Sequence, residues 1–180
     1  ILSEAEKKAD ELINDLQKHN LGYAFPKLKG NEINKANELR KAGLGLLGNI
    51  VGDDKTVACI EDTAVALEDL PAYIEEFSQM METYGQKPIY YAHAGAGELH
   101  LRPILNLKKE KGVQDFRAIT ADVAKLVKKY NGSMSGEHGD GICRGEWIQW
   151  QFGPKLTEAL GEIKHAFDPN NLFNPGKIIN

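Results

Sequence analysis

The sequence predicts an α+β fold in which an antiparallel sheet is covered by helices, and three observations carry that expectation. Segments with apolar residues at helical spacing alternate with short runs rich in β-branched and aromatic residues. Two of those runs, KPIYYAHAG and ELHLRPILN, are separated only by a tight Gly/Ala turn, which makes them antiparallel neighbours. The order helix, strand, helix, hairpin, helix then gives β-α-β spacing of the ferredoxin-like kind.

The elements follow from local chemistry. Residues 3–19 read as an amphipathic helix: Ser3 and Glu6 have capping-box spacing, and Ala9, Leu12, Ile13 and Leu16 supply a stripe to bury. After a short apolar segment at Tyr23–Phe25, a second helix runs from Asn34 to Ala42 and ends at Gly43. KTVACIED, Lys55 to Asp62, reads as a strand. Leu70 to Tyr84 is a helix on the spacing of Tyr73, Ile74, Phe77 and Met81. Val113 to Tyr130 is another, with Val113, Phe116, Ile119, Val123, Leu126, Val127 and Tyr130 on one face. A last helix covers about 154–167 and stops at DPNNLFNPGKI, where two prolines forbid its continuation.

At 180 residues the chain suits one domain, or two tightly fused subdomains. Its net charge of −4 and its scattered lysines give no basic footprint for nucleic acid. Cys59 and Cys143 lie too far apart for a zinc-ribbon spacing, and a reduced, cytoplasmic setting is expected. No apolar run approaches transmembrane length. The chain opens at Ile1 directly in a helical pattern, and reads as a piece of a longer polypeptide.

Three of the five histidines sit in glycine-rich frames. In YAHAGAGELHLRP, a two-residue turn centred on Ala96-Gly97 would set His93 opposite His100 and Tyr91 opposite Arg102. Facing residues lie about 5 Å apart, so both imidazoles would reach one metal ion. Alternation puts Glu98, His100 and Arg102 on that face, while Leu99, Leu101 and Ile104 turn away. In SGEHGDG, glycines 136, 139 and 141 prevent a regular helix and present Glu137 and His138 on a shaped loop. Glu137 would complete a His2Glu site with an open coordination position, and His138 suits a general base. The plainer readings are a surface histidine pair and a solvated turn.

GLGLLG, Gly43 to Gly48, matches a dinucleotide fingerprint in letters only, because it follows a helix rather than a strand. DPNNLFNPG lacks the residue order of a calcium loop. His19 and His165, near helix carboxyl ends, are expected to be structural. Cys59 is expected to be a small buried apolar group.

HAGAGELHLRP, GSMSGEHGDGICRGEW and IKHAFDPNNLFNPGKI together resemble the carboxyl-terminal half of FAD-linked oxidases of the vanillyl-alcohol oxidase superfamily. This group includes glycolate oxidase FAD subunits, D-lactate dehydrogenases and D-2-hydroxyglutarate dehydrogenase. The segment CIEDTAVALEDLPAYIEEF fits the strand-then-helix stretch of that group, so the resemblance spans most of the chain from about Arg40. It implies that His93, His100 and Glu137 hold a divalent cation, commonly zinc. It further implies that His138 removes the substrate hydroxyl proton as hydride passes to flavin, and that Asn174 lies near the flavin. Arg40, Arg102 and Arg144 are candidates for the substrate carboxylate, since guanidinium binds carboxylates bidentately.

Two departures stand out. Relatives with G-D-G-N between the histidines contrast with Gly95, Ala96, Gly97 and Glu98 here. Ile60 stands where hydroxyglutarate-type enzymes carry a substrate-binding lysine, which argues for a D-lactate- or glycolate-like substrate rather than a dicarboxylic one.

The resemblance implies that FAD is held mainly by an amino-terminal domain outside these residues, and that the isolated piece is inactive. It points to large members that add an iron–sulfur region, in a cytoplasmic enzyme that reaches the membrane, if at all, through electron-transfer partners. The rival functions are a His2Glu metal-dependent hydrolase and a non-catalytic interaction module.

Overall fold

A computed structural model describes residues 2–87 and 89–179. The chain divides into two compact units, one running through Leu46 and the other starting at Leu47. The first holds α1 (Leu2–Lys18) and most of α2 (Asn31–Gly48). Residues Phe25 to Leu28 fold back along α1, with ion pairs from Lys27 to Asp10 and from Lys29 to Glu6. The stripe expected to be buried is covered only in part. Ala9, Ile13 and Leu16 are half-buried and Leu12 is 59% exposed, because one extended segment cannot cap a whole helix face.

A second correction concerns α2, which runs through Gly43 to Gly48 instead of stopping at Gly43. Each glycine costs the helix roughly 1 kcal/mol, which is too little to end it where no proline or left-handed turn follows. The glycines of GLGLLG are therefore helical, which removes the phosphate-loop reading altogether.

The second unit is built on the strands β1 (Lys55–Thr56), β2 (Ile60–Ala64), β3 (Ile89–His93), β4 (Glu98–Arg102) and β5 (Ile104–Leu105). β1 pairs with β5, and the three longer strands form an antiparallel sheet in the order β2-β4-β3. Helix α3 (Leu70–Thr83) links β2 to β3, and α4 (Glu110–Lys129) follows the hairpin. These are the first five elements of a ferredoxin-like β-α-β-β-α-β unit.

In the sixth place, beside β2, there is only one rung of ladder. Ala64 N–H donates to Ser133 O at 2.9 Å and Ser133 N–H returns to Ala64 O at 2.8 Å. The chain then leaves the sheet as the loop that carries Glu137 and His138.

One face of the sheet is dry. Ile60, Leu99 and Leu101 pack with Tyr73, Phe77 and Met81 of α3 and Ile119, Val123 and Val127 of α4. Burying each large side chain stabilises the unit by about 1.5–3 kcal/mol. Polar groups that intrude are satisfied: Tyr73 donates its hydroxyl proton to Thr63 Oγ1 at 3.0 Å, and Thr120 donates to Phe116 O at 2.7 Å. Three short pieces follow the loop: α5 (Gly141–Arg144), α6 (Ile148–Phe152) and α7 (Pro154–Phe167). Only the last is long enough to show in the hydrophobic pattern. Asp168 stops it by accepting the N–H groups of Leu172 and Phe173.

The hairpin corrects the expected pairing. Its turn is a single 3-10 turn at Ala94–Ala96 closed by Gly97 in the left-handed region at φ 72°. Tyr91 therefore faces His100, His93 faces Glu98 and Ile89 faces Arg102. The slip is two residues, not one, so every side chain keeps its face. Gly97 is required twice over: by its φ, and because a Cβ there would lie 2.0 Å from Val65 O. Gly97→Ala is expected to lower stability by about 3 kcal/mol or more, measured by urea unfolding. A loss under about 1 kcal/mol would show that the turn relaxes freely.

Candidate metal and active site

The polar side of the sheet is assembled from three places. β3 and β4 bring Tyr91, His93, Glu98 and His100, and the His93 and His100 rings lie edge to face with centroids 5.3 Å apart. The Ser135–Gly141 loop lays His138 flat against His100, with centroids at 5.1 Å and an interplanar angle of 12°. It also sends Glu137 Oε1 to 3.8 Å from His93 Nε2, 4.0 Å from His100 Nε2 and 3.4 Å from His138 Nε2. β2 supplies the third part.

That third part was missed in the sequence. Glu61 pairs with His100 and Thr63 with Leu99, leaving Asp62 as an extra residue in a β-bulge at φ 84°. Without the bulge, alternation would aim Asp62 into the apolar core. With it, two consecutive acidic residues both reach the polar side. Glu61 binds Arg102 and lies 3.4 Å from His138 Nδ1. Asp62 runs under the loop, where its carboxylate accepts Ser135 Oγ–H at 2.8 Å, Glu137 N–H at 2.9 Å and His138 N–H at 2.7 Å. The available signal was the dipeptide Glu61-Asp62 inside an otherwise apolar strand, since a regular strand would have to bury one of them.

Burial sets the charge states. His100 is 4% exposed, and desolvation followed by the neighbouring His138 pushes its imidazole below the usual range. It therefore stays neutral, as a metal ligand must. Burial pushes Asp62 up, but the hydrogen bonds from Glu98 and from the loop outweigh it and hold the carboxyl at about 2. Glu98 responds in the opposite sense. The adjacent Asp62, then burial, then the Glu137 charge push its carboxyl up to about 7. When ionised, Glu98 leaves Oε1 buried with no hydrogen-bond partner among the described residues; when protonated, it donates to Asp62.

Three overlapping sets of groups have ligand atoms within 4.8 Å of one another: His93–His100–Glu137, Asp62–His100–His138 and Asp62–Glu98–Glu137. Two nitrogen or oxygen ligands of one zinc ion, each at about 2.0–2.1 Å, lie no more than about 4 Å apart. The 3.8 and 4.0 Å separations of the first set are within that limit and exceed the roughly 3.3–3.4 Å of a tetrahedral site by a gap that a small movement of the half-exposed Glu137 side chain closes. Imidazole and carboxylate are the donor types zinc takes. The residues fit such an ion.

The other expected residues are placed as follows. Arg102 is half-buried in its pair with Glu61. Arg144 is 5% exposed and donates to the backbone carbonyls of Glu61 and Gly139, so it ties the loop to β2. Arg40 is exposed on α2 in the first unit, and Asn174 is exposed in the turn after α7 at φ 47°. Ile60 is fully buried on the apolar side opposite Leu101, so its identity does not bear on the choice of substrate. His19 bonds to Asp15 of its own helix. The expected strand Lys55–Asp62 is broken into β1 and β2 in separate sheets, and Cys59 is buried in the bend between them; both cysteines are free.

The chain matches the family model of FAD linked oxidases, C-terminal domain, over residues 3–178, and it belongs to that family. It is 40% identical over 169 residues to a D-2-hydroxyglutarate dehydrogenase of Haemophilus influenzae, covering 94% of this chain and 16% of the relative. A protein of the same name from Pseudomonas putida is 38% identical over 181 residues, covering 98% and 18%. A D-lactate dehydrogenase of Archaeoglobus fulgidus is 33% identical over 125 residues, covering 69% and 27%. The chain thus spans about a sixth of the length of the first two. Among the described residues no helix is long and apolar enough to cross a membrane.

Proposed function

We propose that this chain is the substrate-side domain of an FAD-dependent dehydrogenase that oxidises a 2-hydroxy acid to the 2-oxo acid. A divalent cation, zinc by its donor set, is held by His93, His100 and Glu137. The observation that supports this best is the meeting of both imidazole Nε2 atoms with Glu137 Oε1 at 3.8 and 4.0 Å, with His138 beside them. The relatives with 37–40% identity share the name D-2-hydroxyglutarate dehydrogenase, which favours a dicarboxylic acid over D-lactate or glycolate.

When bound, the cation supplies positive charge that lowers the pKa of a substrate hydroxyl, and FAD supplies the two-electron acceptor. His138 takes the hydroxyl proton at Nε2, which faces the ligand cluster, while Nδ1 faces the Glu61 carboxylate. That carboxylate favours the Nδ1–H tautomer and stabilises the imidazolium that forms. Arg102, held by Glu61, which lies 3.4 Å from His138 Nδ1, is the residue proposed for the substrate carboxylate. Arg40 stands as a second candidate on chemistry alone, while Arg144 is assigned to the loop.

The exposed tail turn with Phe173 and Asn174 suits one edge of a flavin. Most of the FAD contact belongs to an FAD-binding domain of the same polypeptide, and the length of the relatives leaves room for an iron–sulfur region as well. Two free thiols accord with a cytoplasmic setting.

Zinc titrated into the metal-stripped, full-length protein is expected to bind at one site. Oxidation of D-2-hydroxyglutarate, D-lactate or glycolate with an artificial electron acceptor should return with the ion. No zinc binding at micromolar concentration overturns the reading. Ester or phosphoester cleavage without hydroxy-acid oxidation turns it toward a hydrolase.

A further inference from the structure

We infer that Asp62 is the positioning residue of the metal and proton-transfer site, the group that fixes Glu137 and His138 without touching substrate or ion. The inference rests on the functional reading above and adds a residue to it. Glu137 and His138 are consecutive in a loop flanked by Gly136 and Gly139, with no strand or helix to set their directions. Arg144 ties the far end of the loop at Gly139 to β2, but the donors of Glu137 and His138 themselves end on one side chain. Asp62 accepts the N–H groups of both residues and the hydroxyl of Ser135, while its own backbone carbonyl accepts Gly136 N–H at 2.7 Å. Four successive loop residues are thereby pinned to a single position of β2.

The backbone is bent to allow this. Asp62 sits in the left-handed region at φ 84°, a conformation that costs a non-glycine residue about 1–3 kcal/mol and persists only where its surroundings enforce it. The approach is also close: a Cβ on Gly136 would lie 3.3 Å from Asp62 Oδ1 and 3.2 Å from Glu98 Oε1. Charge matters as well as shape. A carboxylate offers only lone pairs to these donors, whereas an amide would turn an NH2 group toward at least one of them. Outer-shell partners of this type orient ligands, and their loss costs about 10–100-fold in metal affinity or activity.

The test compares wild type, Asp62→Asn and Gly136→Ala in the full-length protein. Zinc affinity is measured by competition with a chromophoric chelator, KM and kcat separately, and folding by near-UV circular dichroism. Asp62→Asn is expected to weaken zinc binding by about 10–100-fold and to lower kcat more than it raises KM, with the folded spectrum retained. Gly136→Ala changes no ligand and no charge, yet pushes the loop off the carboxylate. It is expected to weaken zinc in the same direction, and it decides the matter if Asp62→Asn does not fold. Wild-type zinc affinity in either folded variant overturns the role of Asp62. Failure of wild type to bind zinc overturns the functional reading instead.

Discussion

Replacing His138 by alanine is expected to cut hydroxy-acid turnover by about 100- to 10,000-fold while the cation stays bound. The two halves of that outcome come from different atoms. His138 stacks on His100 and presents Nε2 to the cluster, but the proposed ligand set His93–His100–Glu137 does not include it. Proton removal has no equally placed substitute, since of the two carboxylates 3.4 Å from His138, Glu61 is engaged with Arg102 and Glu137 is the proposed metal ligand. Steady-state kinetics and metal content on the same preparation check it. Full turnover with full metal would move the base elsewhere. Loss of metal together with turnover would make His138 a ligand, in keeping with the Asp62–His100–His138 grouping.

The second large effect belongs to His100. His100→Ala is expected to lower zinc affinity by more than the roughly 10–100-fold that outer-shell changes cost, because it removes a ligand and opens a void beside Tyr91. Of the two hairpin histidines it is the better prepared. Burial keeps its ring neutral at pH values where an exposed imidazole takes up a proton. The sign follows: as pH falls, His100 remains able to bind metal to a lower pH than a free imidazole would. Chelator competition across pH 5–8 reads both the affinity and its acid limb. An unchanged affinity in His100→Ala would remove His100 from the ligand set.

Much of this could be read from the residues alone, and the parts that could not share a cause. α3 and α4 are legible because Tyr73, Phe77 and Met81, and Ile119, Val123 and Val127, repeat at helical spacing and are buried. The convergence of His93, His100 and Glu137 is legible from two glycine-framed motifs. The hairpin register is not, because its turn is fixed by Gly97 lying against Val65, a contact far away in sequence. The bulge at Asp62 is hidden for the same reason: its donors lie more than seventy residues downstream. Length misled at α2, where a glycine alone does not end a helix, and at α5 and α6, which are too short to show a period.

Where a sixth strand would complete the sheet, one Ala64–Ser133 rung suffices and the backbone turns away. A full strand would have locked every residue after Ser133 into alternation, so that changing a reactive group meant disturbing its neighbours. The short tether separates the two obligations. Past it the loop is held by the side chains of Asp62 and Arg144 instead of by a ladder, so a reactive side chain there can change while the strands stay in place, as long as those two anchors keep their partners.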